Sequence, residues 1–302
     1  MMKKMLFIYN PHAGKGLLKS RLSDVLDIFV KAGYEVVVYP TQGYQDAYHK
    51  VIHMEEKYDL LVCSGGDGTL DEVVTGMMKH DKKKRVPIGY IPTGTTNDFA
   101  SSLHISRDIL KAADDCVHGK VFPCDVGSFN EDVFIYVAAF GLFTDVPYQT
   151  DQKLKSALGH MAYVLEGVKR LSHIPSYRIK ITGGDKEIEE DFMVGMITNS
   201  RSVAGFRNIM GKDVRFDDGE FEVTLIRKPK NLIELNDIIT SLLVEDFNSK
   251  YMYTFKAKEL LLESKSLIPW TLDGEFGGEH ERVKITNKKQ ALRIMVERRE
   301  EG

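Results

Sequence analysis

The chain has 302 residues, 43% of them hydrophobic and 28% charged, with a formal net charge of −3. This is the composition of a soluble globular protein long enough for two domains, and it lacks the basic field that would draw it to nucleic acid. The three cysteines, Cys63, Cys116 and Cys124, form no CxxC pair and fit a reducing, cytoplasmic compartment; no signal-peptide pattern precedes Asn10-Pro11, and the apolar run Val133–Phe143 is too short to span a bilayer.

Met5–Tyr9 reads as a first strand, followed by the polar turn Asn10–Gly16. Leu22, Val25, Leu26 and Phe29 form a helical stripe that Gly33 ends. Val36–Tyr39 is a second strand with Thr41 just past its end, and a polar helix covers Gln45–Lys57. Asp59–Ser64 is a third strand, continuous and apolar as buried parallel strands are. Gly65-Gly66-Asp67-Gly68 cannot continue it, and Leu70, Val73, Val74 and Met77 predict a helix from about Thr69. Val86–Ile91 is a fourth strand, closed by Pro92–Phe99, and Ser106–His118 is a further helix. This βαβαβαβ order predicts an α/β domain with a parallel sheet over residues 1–122. Ligands of such sheets bind at the carboxyl ends of the strands. Asn10, Thr41, Gly65–Thr69 and Gly94–Asp98 all fall there.

A strand, a glycine turn and a helix make a phosphate site, because free N–H groups and the helix dipole point at the anion. A carboxylate in that turn would repel a bare phosphate. Asp67 therefore needs an intervening cation, or hydroxyl or N–H groups of its own to bind. A nucleoside triphosphate with Mg2+ is the simplest arrangement; a turn that merely lets strand and helix pack is the alternative. GxGxxG fails, since Asp71 stands where its third glycine should be, and the P-loop pattern is absent. Protein-kinase signatures are absent too.

The periodicity changes near Phe122–Asp125. Val133–Ala139, Tyr177–Thr182, Asp191–Thr198, Glu222–Ile226, Thr254–Leu262, Arg282–Ile285 and Ala291–Val296 read as strands, with Gly183-Gly184 a hairpin turn. Helices are predicted at Asp151–Ser172 and Leu232–Phe247. The expectation is a mostly antiparallel β-sandwich over residues 123–296, with 297–302 a tail. Asp273-Gly274 signals a hairpin on its own, but a kinase acting on a hydroxyl needs a carboxylate to take or orient its proton, and Glu275 is the candidate. Asp217–Glu220 is either a cation loop of mixed oxygen ligands or a solvated hairpin. The run Lys79, Lys82, Lys83, Lys84, Arg85 is a solvated helix end or a contact for anionic headgroups. The Leu154–Leu171 face either packs in the core or meets a membrane surface. His49 and His53 lack the glutamate of a zinc-protease helix.

Four motifs together resemble the diacylglycerol kinase catalytic family, and within it the soluble bacterial lipid kinases: Asn10-Pro11-x-x-Gly14, Gly65-Gly66-Asp67-Gly68-Thr69, Pro92-x-Gly94-Thr95-x-Asn97-Asp98-Phe99-Ala100 and Leu272-Asp273-Gly274-Glu275. NAD kinases and phosphofructokinases share the GGDG turn more distantly. The resemblance implies an NAD kinase/phosphofructokinase-like α/β domain and transfer of the γ-phosphate of ATP, with Mg2+, to a lipid hydroxyl. Diacylglycerol is favoured; phosphatidylglycerol, a sphingoid base, a polyprenol or NAD as acceptor, and a non-catalytic sensor, are the alternatives. It implies nucleotide contacts at Asn10, Pro11, Gly14, Thr41, Gly65, Gly66, Asp67, Gly68, Thr69, Leu70, Asp71, Thr95 and Asn97, and catalytic roles for Glu275 as general base and Asp67. It implies a structural Mg2+ on Arg215, Asp218 and Glu220, and a chain end that returns to the first domain. The partners implied are a lipid substrate met peripherally at the inner face of the membrane and a second copy of the chain. Asp71 replaces a frequent asparagine, and Ser101 a frequent arginine.

Overall fold

The computed structural model describes residues 2–54, 57–142, 174–199, 202–203, 206–207, 216–244 and 249–298. The helix predicted over Asp151–Ser172, the Leu154–Leu171 face within it, and Arg215 lie outside the described residues. Two compact units emerge. One holds residues up to Asp125 together with those from Gln290 onward; the other is Val126–Lys289.

In the first unit the apolar runs become parallel strands β1 (Lys3–Tyr9), β2 (Tyr34–Pro40), β3 (Leu60–Gly65) and β4 (Ile88–Pro92), in the order β2-β1-β3-β4. Met5–Ile8 and Leu61–Cys63 are fully buried, which is why their sequences show no polar alternation. Helices α1 (Leu22–Lys31), α2 (Asp46–Ile52), α3 (Asp67–Met78), α4 (Asp98–Ser102) and α5 (Ile109–His118) connect and cover the sheet. Val25 and Phe29 of α1, with Ala112, Ala113 and Cys116 of α5, pack on Met5, Phe7 and Val62. Phe7 and Phe29 meet edge to face at 5.4 Å, and burying each ring stabilises the unit by about 2–3 kcal/mol.

The second unit is antiparallel. Strand β5 (Lys120–Phe129) leads into it, followed by β6 (Asp132–Phe134), β7 (Val137–Gly141), β8 (Tyr177–Gly183) and β9 (Lys186–Thr198). After the short ribbon β10 (Ser202–Val203) and β11 (Phe206–Arg207) come β12 (Phe221–Arg227), helix α6 (Leu232–Leu243), β13 (Met252–Ala257), β14 (Glu259–Leu272) and β15 (Glu275–Val296). β7 and β8 each pair with both β9 and β14. Trp270 lies fully buried, edge-on to Phe129 and Phe140 at 5.0 and 4.9 Å. The predicted hairpin turns form at Gly184, with φ 58°, and at Asp273-Gly274, with φ 51° and 91°.

Three readings of the sequence need correction. The strand expected over Val133–Ala139 breaks at Ile135-Tyr136, because amides there bond to the Asp273 carboxylate instead of a neighbouring strand. Thr254–Leu262 is two strands, β13 and β14. Arg282–Ile285 and Ala291–Val296 are parts of the single strand β15, whose end belongs to the first unit from Gln290, earlier than the expected tail at 297. There Ile294 pairs in parallel with Ile88.

Arg85 holds that returning segment. Its guanidinium donates to the carbonyls of Met78 (3.1 Å) and His80 (2.9 Å) at the end of α3, and to that of Ala291 (2.9 Å). Lys82, Lys83 and Lys84 beside it are exposed. Arg85→Met should lower the unfolding free energy by about 2 kcal/mol, the scale of charged hydrogen bonds, in urea titration. An unchanged midpoint would mean that water serves those carbonyls equally well.

Candidate active site

Strands β1, β3 and β4 end side by side, and the loops after β1 and β4 are bonded through main chain to the end of β3. The Asn10 N–H donates to the Ser64 carbonyl (2.8 Å), and the N–H groups of Thr93 and Gly94 both donate to the Gly65 carbonyl (2.8 and 3.1 Å). The Thr41 N–H donates to the Tyr9 carbonyl at 2.9 Å. A Cβ on Gly94 would stand 2.4 Å from the Gly66 Cα, so only glycine allows the two loops this approach. Pro11 leads into a turn in which Gly14, Lys15 and Gly16 are all left-handed, with φ 54°, 59° and 79°. Asn10, Pro11, Gly14, Gly65, Gly66 and Thr95 are thereby brought to one edge of one sheet, with Thr41 after the neighbouring β2.

Helix α3 starts at Asp67, two residues earlier than the sequence predicts, with extended Gly66 as its N-cap. Its first amides, on Asp67 and Gly68, have no carbonyl within the helix to bond, and its positive end lies at this edge. Gly68 is exposed and Asp71 half-buried, while Thr41, Thr69 and Leu70 are buried.

The Asp67 carboxylate faces the next loop. It accepts the N–H groups of Asp98 (3.1 Å) and Phe99 (3.4 Å), the first residues of α4. Burial pushes its pKa up; the N–H groups of Asp98, Phe99 and Asn97 and the charge of Arg107 pull the other way. Of the two arrangements the sequence allowed, N–H groups are the partners this geometry supplies. Asn97 is equally occupied. Left-handed at φ 54°, it accepts the Gly94 N–H (3.0 Å) and donates to the Gly94 carbonyl (2.8 Å). The single proton of the Tyr90 hydroxyl is shared between the Asn97 Oδ1 (3.3 Å) and the Gly65 carbonyl (3.2 Å). Asn97 therefore shapes the turn, and Thr95 and Thr96 are the exposed residues in it.

Two participants escaped the sequence reading. Tyr90 looked like one more apolar strand residue. Arg107 donates to the Thr96 carbonyl (2.7 Å) and to the Ser101 hydroxyl (3.1 Å). No motif or periodicity marks Arg107, which reaches Thr96 from eleven residues on.

In the second unit Glu275 opens β15, exposed, just after the Asp273-Gly274 turn and paired across it with Leu272. The Asp217–Glu220 loop belongs to the same unit. Asp218 Oδ1 accepts the Glu220 N–H (3.0 Å), and Oδ2 lies 3.1 Å from Lys256 Nζ. Lys256 also pairs with Glu222 at 3.3 Å, and Lys289 Nζ donates to the Asp218 carbonyl at 3.2 Å. The Lys256 ammonium thus stands at one oxygen of the Asp218 carboxylate, the side chain expected to hold Mg2+. Among the described residues no group of three or more His, Cys, Asp or Glu is arranged to hold a metal.

Residues 4–129 match the diacylglycerol kinase catalytic domain. The chain is 37% identical over 297 residues to the diacylglycerol kinase of Staphylococcus carnosus (strain TM300), covering 97% of this chain and 95% of that protein. It is 36% identical over 280 residues to the diacylglycerol kinase of Bacillus subtilis (strain 168), covering 92% and 91%. A crystal structure of a diacylglycerol kinase from Bacillus anthracis str. Sterne has the same fold, with a TM-score of 0.74 at 24% identity over 98% of this chain and 97% of that one.

Asp67→Asn replaces one acceptor oxygen by an NH2 group facing an amide. It should cost about 1 kcal/mol, as the loss of a helix cap does, and raise proteolysis at Thr95–Asn97. Thermal unfolding and limited digestion check both; wild-type values in each would remove Asp67 from its capping role.

Proposed function

The chain belongs to the diacylglycerol kinase family, and from that premise we propose that it transfers the γ-phosphoryl group of ATP to the free hydroxyl of diacylglycerol, giving phosphatidate. The observation that carries the reading is the glycine-lined edge of the first unit, where the loops after β1 and β4 are bonded backbone to backbone to the end of β3, beside the start of α3. In this reading the first unit is the NAD kinase/phosphofructokinase-like nucleotide domain and the antiparallel unit is the lipid domain, a β-sandwich.

The turns Asn10–Gly14 and Gly65–Asp71, with the side chains of Thr41 and Thr95, hold the nucleotide, and the amides of Asp67 and Gly68 at the start of α3 face its charge. The α3 dipole favours its charge. Asp67 and Asn97 act one step back, by fixing the loops. Mg2+, when bound with ATP, would supply positive charge at the phosphate oxygens. Glu275 accepts the proton of the lipid hydroxyl as that oxygen bonds to the γ-phosphorus, and the bond to the β-phosphate bridging oxygen breaks to release ADP. Among the described residues no helix is long and apolar enough to cross a membrane; in this reading the lipid is met by peripheral contact.

The test is phosphate transfer from labelled ATP and Mg2+ to a panel of lipids in mixed micelles. Wild type should label phosphatidate, and Glu275→Gln should lower turnover by about 10²–10⁴-fold while binding ATP as before. Full turnover in Glu275→Gln would remove the base assignment; labelling of NAD alone would change the substrate class.

Chelation gives a separate check. Excess EDTA should stop transfer by stripping the nucleotide of Mg2+, yet leave the melting temperature unchanged, because Lys256 already neutralises Asp218. A lower melting temperature would place a structural metal on that loop.

A further inference from the structure

A two-residue Asp-Gly hairpin normally points its aspartate at water, since asparagine or glycine would serve the turn equally well. Asp273 does not. It is only 6% exposed, and its carboxylate receives three consecutive amides, those of Ile135, Tyr136 (3.0 Å) and Val137 (2.9 Å). The Asp273 N–H donates to the Val137 carbonyl at 2.8 Å, and the Tyr136 hydroxyl donates to the Asp273 carbonyl at 2.9 Å. Five hydrogen bonds therefore join one turn residue to one three-residue segment. The other side of that segment is held by Asn199, whose N–H donates to the Tyr136 carbonyl (2.9 Å) and whose Nδ2 donates to the Ile135 carbonyl (3.4 Å).

This clamp interrupts the strand that the sequence predicts over Val133–Ala139. It also spans about 137 positions of chain, the separation of Asp273 from Tyr136. Such an arrangement is far more than a hairpin needs. What it fixes is the start of β15, where Glu275 is exposed two residues beyond Asp273. A general base must meet its proton within a fraction of an ångström and a few tens of degrees, and an exposed glutamate on a free hairpin would not.

We propose that Asp273 is the positioning residue of the reaction: its carboxylate, seated on the amides of Ile135–Val137, fixes the hairpin that presents Glu275 to the acceptor hydroxyl. The inference rests on Glu275 being the base, and the test separates the two claims. Turnover and KM are measured in mixed micelles for Asp273→Asn, Tyr136→Phe, Glu275→Gln and the two double variants containing Glu275→Gln. Asparagine tolerates the left-handed turn, but turns an NH2 group toward one of the three amides. Asp273→Asn should lower kcat by about 100-fold, the scale of a misplaced catalytic group, with KM for ATP unchanged. Tyr136→Phe, which removes one of the five bonds and keeps the ring in the core, should lower kcat several-fold. Both losses should vanish in the Glu275→Gln background, because a base that is absent cannot be misplaced.

A merely structural role predicts the same fold-loss with or without Glu275, and that result would overturn the proposal. So would wild-type kcat in Asp273→Asn beside a crippled Glu275→Gln. If Glu275→Gln itself turns over normally, the base reading falls and this one with it. Should Asp273→Asn fail to fold, Tyr136→Phe and its double variant decide the matter alone.

Discussion

The carbonyl of Gly65 is the point on which the first unit depends. It accepts the N–H groups of Thr93 and Gly94 and the hydroxyl of Tyr90. An oxygen has two lone pairs, so three donors crowd it, and they come from the next strand and the loop after it. The bonds form because Gly94 has no side chain: a Cβ there would stand 2.4 Å from the Gly66 Cα. Each loop fixes its neighbour, and the start of α3 is left facing outward. A phosphate site made of amides needs this rigidity, since amides cannot reach for a ligand as a lysine can.

Charge is handled differently from what the motif suggests. Asp67 is the one carboxylate inside the glycine turn, and it is directed onto the start of α4. Its negative charge stabilises two amides that would otherwise lack partners, and the Arg107 guanidinium compensates it at longer range. Asn97 behaves similarly, closing on Gly94. The motif residues with the most distinctive chemistry thus build the loops, while the exposed surface is left to glycine and threonine.

The second unit repeats this division of labour. In Leu272-Asp273-Gly274-Glu275 one acid is buried and wholly engaged, and the other is exposed. Adjacent carboxylates acquire separate roles because their environments differ. In the Asp218 loop the same physics acts through lysine. Burial raises the pKa of Glu222 to about 7, and Lys256 opposes that rise while holding Asp218 at its other contact.

The sequence by itself determined the order of elements in the first unit and the positions of the two acidic glycine turns. Apolar runs without alternation specified the parallel strands, and positive-φ residues specified where the chain must turn. These are local properties, carried by neighbours in the chain. It also placed Asn10, Gly65–Asp71, Thr95 and Glu275 at strand ends, because strand ends follow from strands. Only the tertiary structure decided what the polar side chains hold. Arg85 reaches Ala291 across 206 positions, Asp273 reaches the Ile135–Val137 amides, Asp67 reaches α4, and β15 returns beside Ile88. No periodicity encodes such pairings, because a buried charge is satisfied by whichever backbone group the packed elements bring to it.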